Sequence, residues 1–186
     1  MRRRLAALLT VLLLVSGVAF SKAETAKVED VSATMGENTV CYPQLSGLPS
    51  SSVQKKINDD VVLSGGIASL LVKLASGGSL QAGHESFLNE AIFSTLLTVE
   101  SKQPGSRREQ SETALTYALS DGERLTLNRL FSDPAEAVGR MEALAEESLG
   151  REMTEYMDNR AVAPLPTDAF TMDEWGVTFH YPADQL

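Results

Sequence analysis

Few side chains in this chain are suited to chemistry. Its 186 residues include two histidines, His84 and His180, and one cysteine, Cys41. A zinc centre or a histidine-based triad needs several such groups brought to one point, and no spacing here announces one. His84 adjoins Glu85 in the stretch Ala82-Gly83-His84-Glu85, which reads as a polar loop. Adjacent residues do not share a helix face, as paired helical metal ligands must. His180 alternates with Phe179 and Tyr181 along an apparent strand, so it is expected to face outward opposite a core residue. Cys41, between Val40 and Tyr42, reads as a buried, inert thiol. The 25 acidic residues make any pair chosen for glycoside hydrolysis arbitrary, because the separation that such chemistry uses is not legible in a sequence. There is no Gly-x-Ser-x-Gly elbow, no phosphate-cradling glycine loop before a helix and no pair of cysteines. No catalytic residue, metal ligand or cofactor is therefore assigned, and the protein is read as noncatalytic.

The remaining candidates are aromatic. Tyr42, Trp175, Phe179, His180 and Tyr181 form the candidate binding set, since aromatic side chains carry much of the energy of interfaces as well as of cores. The competing reading of the same residues is packing in the core or in a turn.

These groups must be positioned by the elements around them. Residues 24–37 are polar and read as a flexible lead-in, with the domain running over 38–186. Residues 39–42 read as a strand and 43–49, bounded by Pro43 and Pro49, as an irregular exit. Ser51 or Ser52 can cap a helix that places Val53, Ile57 and Val61 on one face. Gly65-Gly66 interrupts it, and Ile67, Leu70, Leu71 and Leu74 resume a helical stripe ended by Gly77-Gly78. Residues 87–99 are rich in β-branched and aromatic side chains without Gly or Pro, which predicts one long strand, bulged or straight. Residues 102–110 read as an exposed connection to a strand at 114–119, and Asp121-Gly122 as a tight turn into a strand at 124–127. Asp133, Pro134 and Glu136 mark the start of a helix. Its apolar stripe is Val138, Met141, Leu144, Ala145, Leu149, Met153 and Tyr156. After a linker with Pro164 and Pro166, strands are expected at 169–172 and 177–181. The order predicts an α+β domain with helices packed on one face of a curved, mainly antiparallel sheet.

The amino terminus carries an address. Arg2, Arg3 and Arg4 precede an almost wholly apolar run over 5–20, and Ser21-Lys22-Ala23 offers small residues for cleavage, so 1–23 reads as a signal peptide cleaved after Ala23. About sixteen apolar residues fall short of the roughly twenty that span a bilayer, so no stable membrane span is expected once the segment is removed. The alternative is that it is retained as an anchor. Cleavage removes four of the sixteen Lys and Arg and none of the acids, taking the net charge from −9 to −13. That field disfavours nucleic acid and anionic membrane surfaces and favours encounter with cationic partners, although solubility alone also accounts for it.

The order of motifs resembles a known family of extracellular domains, found in RsiV-type anti-sigma factors that sense lysozyme and beside the catalytic domain of PdaC-type polysaccharide deacetylases. The resemblance rests on Tyr42-Pro43-Gln44-Leu45-Ser46-Gly47-Leu48 followed by the helix through Val53, Ile57 and Asn58. It continues with Asp121-Gly122-Glu123-Arg124-Leu125-Thr126-Leu127-Asn128-Arg129-Leu130-Phe131, and with Trp175-Gly176-Val177-Thr178-Phe179-His180-Tyr181-Pro182. It implies a layered α+β domain on the outer face of a bacterial cell. The chain departs from the signalling members in having only three arginines ahead of its apolar run, and from the deacetylases in having no room for a catalytic domain. It also stops soon after Tyr181-Pro182, which suggests carboxyl-terminal truncation. Three functions are compatible with these readings. The first is a noncatalytic secreted or envelope binding domain for a cationic, lysozyme-like protein or a wall glycan. The second is a wall polysaccharide hydrolase or deacetylase, or an accessory module of one, and the third is a structural envelope module.

Overall fold

The computed structural model describes residues 25–74, 78–153 and 165–181. Residues 1–23, read as a signal peptide, lie outside the described residues with Gly77, Tyr156, Pro164 and Pro182, and so do the side chains of Ala145, Leu149 and Met153.

Two strands, β1 (Lys27–Met35) and β2 (Asn38–Ser46), are followed by helices α1 (Ser51–Ser64) and α2 (Ile67–Leu74). Strands β3 (Ser79–Leu88), β4 (Ile92–Lys102) and β5 (Glu109–Ala118) come next. The chain continues through a short helix α3 (Leu127–Leu130), a long helix α4 (Pro134–Met153) and a hairpin of β6 (Phe170–Met172) and β7 (Val177–Phe179). The main sheet has the order β1-β2-β3-β4-β5, antiparallel throughout except for the parallel pair β2 and β3. The α+β class expected from the element order is the class observed.

Local chemistry explains the helices. Ser50, one residue before the expected caps, accepts a hydrogen bond from Val53 N–H at 3.3 Å and starts α1. Ile57 and Val61 are fully buried, as their spacing predicts. The break between α1 and α2 falls at Gly65-Gly66. Gly66 has φ +65°, and Gly65 lies so close to Leu97 that any Cβ would collide with it. Asp133 caps α4 through Glu136 N–H at 3.0 Å, and Val138 and Met141 pack inward as expected. Leu144 does not, being 62 % exposed.

Five readings of the sequence are corrected. Residues 27–35, expected within a flexible lead-in, form an edge strand in unbroken register with β2, from Lys27 opposite Ser46 to Met35 opposite Asn38. The strand around Cys41 continues through Pro43 to Ser46. Proline is tolerated there because β2 pairs with β3 only at Thr39 and Val40, leaving its second edge open from Cys41 onward. The expected long strand at 87–99 is two strands. Asn89 Oδ1 accepts from Ala91 N–H and Ile92 N–H, both at 2.8 Å, and folds the chain back on itself. Residues 82–85, read as a loop around His84, therefore belong to β3. Finally, 124–127 does not extend as a strand. After the Asp121-Gly122 turn a single bridge joins Arg124 to Tyr117, and α3 begins at Leu127.

The main core lies between the sheet and helices α1 and α2, with Phe93, Tyr117, Ile57 and Val61 fully buried in it. Alternation along β4 and β5 sends Ile92, Ser94, Thr116 and Ala118 to the opposite face, where a second cluster forms around Leu125, Leu127 and Phe170. A buried hydroxyl relay fastens the β6–β7 hairpin to that face. Met172 N–H donates to Ser94 Oγ, Ser94 and Thr116 hydroxyls are 2.8 Å apart, and Thr116 donates to the Phe170 carbonyl at 2.8 Å. Each of these polar atoms is satisfied by the next. Thr116→Val keeps the shape but leaves the Phe170 carbonyl and the Ser94 hydroxyl short of a partner, a loss expected to cost about 1–3 kcal/mol. Urea unfolding measures it, and a change within about 0.5 kcal/mol would refute the relay.

Candidate functional site

A cleft of about 850 Å³ follows β5, whose outer edge pairs with no strand over residues 110–115 among the described residues and is bridged only further on, at Tyr117 by Arg124. Successive residues 110–115 all line it, and since neighbours in a strand point to opposite faces, the cleft wraps the strand edge itself. Ser64, at the end of α1, stands on one side, with Asp168, Ala169, His180 and Tyr181 on the other. Arg124 contributes to the lining as well.

Arg124 belongs to a polar network under the cleft. Its Nε donates to Asp60 Oδ2 at 2.7 Å, Tyr117 OH donates to the same oxygen at 2.9 Å, and Ser64 Oγ donates to Asp60 Oδ1 at 2.7 Å. Burial pushes the Asp60 carboxyl up, but the donors Ser64, Arg124 and Tyr117, with the Arg124 charge, outweigh it and hold the group below its usual range. Burial, reinforced by the Asp60 carboxylate, drives the Tyr117 phenol well above its ordinary value. Among the described residues Arg124 Nη2 is buried without a hydrogen-bond partner, an unmet donor of the kind native structures seldom tolerate.

Across the cleft, His180 is not outward-facing as expected. Its side chain is 15 % exposed, with Nδ1 at 3.7 Å from Glu112 Oε2 and Nε2 at 2.9 Å from Thr171 Oγ1. The cause is that β7 belongs to a separate two-stranded hairpin packed beside β5, so a residue just past its end meets the neighbouring strand and not water. Burial and then the Glu142 charge raise the Tyr181 phenol above its ordinary value.

Of the five aromatic and histidine candidates, the cleft gathers His180 and Tyr181. Phe179 packs with Phe170 in the second core cluster, ring centroids 6.2 Å apart. Tyr42 packs against the main core. Trp175 stands 88 % exposed in the turn that Asp173 holds through Trp175 N–H and Gly176 N–H. Glu112, Asp60 and Arg124 were not singled out by the sequence, because they reach one place only after α1, β5 and the following turn have packed together.

A second grouping lies far along the sheet. Asp30, Cys41 and His84, on β1, β2 and β3, each offer one metal-ligating atom within 4.8 Å of the others. Cys41 is half-buried and not the fully buried thiol expected. Among the described residues no helix is long and apolar enough to cross a membrane.

The fold is of a class seen in solved structures of the DUF3298 family. The chain is similar to the crystal structure of a DUF3298 family protein from Pseudomonas aeruginosa, at 14 % identity over 72 % of this chain and 71 % of that one, with a TM-score of 0.50. It is also similar to a member of the same family from Bacteroides fragilis, at 11 % identity over 84 % and 83 % of the two chains, with a TM-score of 0.55. At these identities the likeness shows the fold. No family model and no curated protein matches the sequence.

Proposed function

We propose that this is a noncatalytic binding or sensing domain, exported to the cell envelope after cleavage near Ala23, and that the cleft along β5 receives an extended segment of a cationic protein. The observation that carries the reading is the stretch 110–115 of the β5 edge, unpaired on its outer side among the described residues and set in a cleft with acidic lining. An unpaired edge presents backbone N–H and C=O groups to which an extended chain can add as a further strand. Glu112 and Asp168 line the cleft, while the Arg124 charge is already engaged by Asp60. The charge of −9 over the whole chain supports attraction of a basic partner. The sequence resemblance to RsiV-type lysozyme sensors makes lysozyme the partner of first choice.

Calorimetric titration of the purified chain with lysozyme at low and raised salt tests this. Heat of binding at low salt, weakened by added salt, is the expected result. Glu112→Lys, an exposed surface change, is expected to reduce affinity about tenfold or more, since like charges across an interface repel. Absence of heat in both conditions sinks the lysozyme reading, and binding indifferent to salt removes its electrostatic basis. Release of soluble product from peptidoglycan would instead favour a wall hydrolase or deacetylase.

A further inference from the structure

The grouping of Asp30, Cys41 and His84 has a feature that chance proximity does not explain, namely the fixed orientation of its histidine. Thr95 Oγ1 donates to the Glu85 carbonyl at 3.1 Å, and a carbonyl can only accept. The Thr95 proton is thereby committed, so Ser86 Oγ, 2.9 Å away, must donate to Thr95. With its own proton spent, Ser86 can only accept from His84 Nδ1, also at 2.9 Å. The Nδ1 of His84 therefore carries the hydrogen, and Nε2 points the other way, toward Asp30 Oδ1 at 3.2 Å. In a neutral imidazole so held, a lone pair faces a carboxylate, an arrangement that calls for a positive charge between them.

We infer that Asp30, Cys41 and His84 form a binding site for a late first-row divalent cation, Zn²⁺ foremost. The donor set is one imidazole nitrogen, one thiolate and one carboxylate, a borderline-soft combination that suits zinc and not the all-oxygen shells of Mg²⁺ or Ca²⁺. The hydroxyl relay behind Nδ1 is the outer-shell support that orients metal-binding histidines and fixes their tautomer. The rigid and mobile parts are also well placed. The His84 side chain is only 8 % exposed, whereas that of Asp30 is 71 % exposed and free to swing inward. Ligand atoms within 4.8 Å of one another need to close by about 1 Å to reach the contacts of a tetrahedral zinc shell with bonds of roughly 2.0–2.3 Å. On binding, the Cys41 S–H bond breaks, its proton passes to solvent and a sulfur–metal bond forms, with no change in oxidation state. Three protein ligands leave the fourth position to water or to an external donor. A protonated His84 paired with Asp30 alone is the competing arrangement, and it leaves the nearby sulfur without a role.

Cobalt(II) distinguishes the two, because thiolate ligation gives a charge-transfer absorption that nitrogen and oxygen donors do not. The purified chain, reduced and stripped with chelator, is titrated with Co²⁺ and then with Zn²⁺. One equivalent of Co²⁺ is expected to produce that band, and Zn²⁺ to abolish it by displacement. Cys41→Ser is expected to lose the band. Ser86→Ala is expected to keep it while binding about tenfold or more weakly. Asp30→Ala, at an exposed position that does not threaten the fold, is expected to lose most of the rise in melting temperature that Zn²⁺ gives the parent chain. No band from the parent chain, or a band that survives Cys41→Ser, overturns the inference, and so does an undiminished zinc-induced rise in melting temperature for Asp30→Ala.

Discussion

Phe93→Ala is expected to destabilise the domain by about 3–5 kcal/mol, the range for truncating a fully buried aromatic ring. Phe93 is 0 % exposed near the start of the interior strand β4, opposite Tyr117 on β5, with the two rings stacked at 12° and centroids 6.1 Å apart. Removing the ring forfeits its transfer free energy, opens a cavity that the helices cannot fully close, and unstacks Tyr117, a pairing worth about 0.5–1.5 kcal/mol beyond area. Domains of this size are stable by only about 5–15 kcal/mol, so the loss is a large share of the whole. Urea unfolding followed by circular dichroism is the right measurement. Trp175, the single tryptophan, is 88 % exposed in the native state and would report unfolding poorly by its fluorescence. A loss below about 1 kcal/mol would show that the main core is not centred where the structure places it.

What could be read from the sequence follows from where each element finds its partners. Helices α1 and α4 were legible because their signals are local: a run of serines ahead of α1, though the cap is Ser50 and not Ser51 or Ser52, a cap at Asp133, a proline at the first turn of α4 and apolar residues at helical spacing. Strand β1 was not, because it sits at the edge of the sheet with most of its side chains exposed, and a strand that buries little shows little alternation. Strand β3 was missed for another reason. Gly83, His84 and Glu85 look like a loop until β4 pairs with them along one side, β2 reaching only the preceding Gln81 and Ala82. Asn89, whose side chain makes the turn into β4, was the one local clue and was outweighed by the apolar run around it. The cleft was half legible. His180 and Tyr181 stood out as neighbours in sequence, whereas the acids and the arginine that give the cleft its charge come from separate elements. The Asp30, Cys41 and His84 grouping was invisible for the same reason, its members meeting only through pairing of β1, β2 and β3.

Asp60→Asn is expected to cost about 2–3 kcal/mol at neutral pH, because it leaves the half-buried Arg124 charge without its counterion and forces an amide among three donors. The same substitution should change how stability depends on pH. The folded Asp60 carboxyl titrates below the unfolded value of about 3.9, so the ionised group binds its partners more tightly than the protonated one. Its contribution is therefore complete above about pH 4–5 and is lost as pH falls through the folded value. Glu29 and Asp121 are also held below their ordinary range, Glu29 by Lys27 and Ser46 and Asp121 by Glu123 N–H and Arg129. They contribute in the same acid region, so the parent profile alone does not isolate Asp60. The difference between the parent and Asp60→Asn profiles does, since the other two titrations are common to both. That difference is expected to be constant from about pH 5 to 8 and to shrink steadily toward pH 2. A difference that stays constant down to the acid limit would mean that the carboxylate charge is not what Asp60 contributes. Tyr117→Phe removes one donor from the same oxygen while sparing the core ring, and is expected to cost about 1 kcal/mol. If the network acts as a unit, the double substitution costs less than the sum of the two single ones, because an amide at position 60 has already surrendered the charge to which the phenol donates.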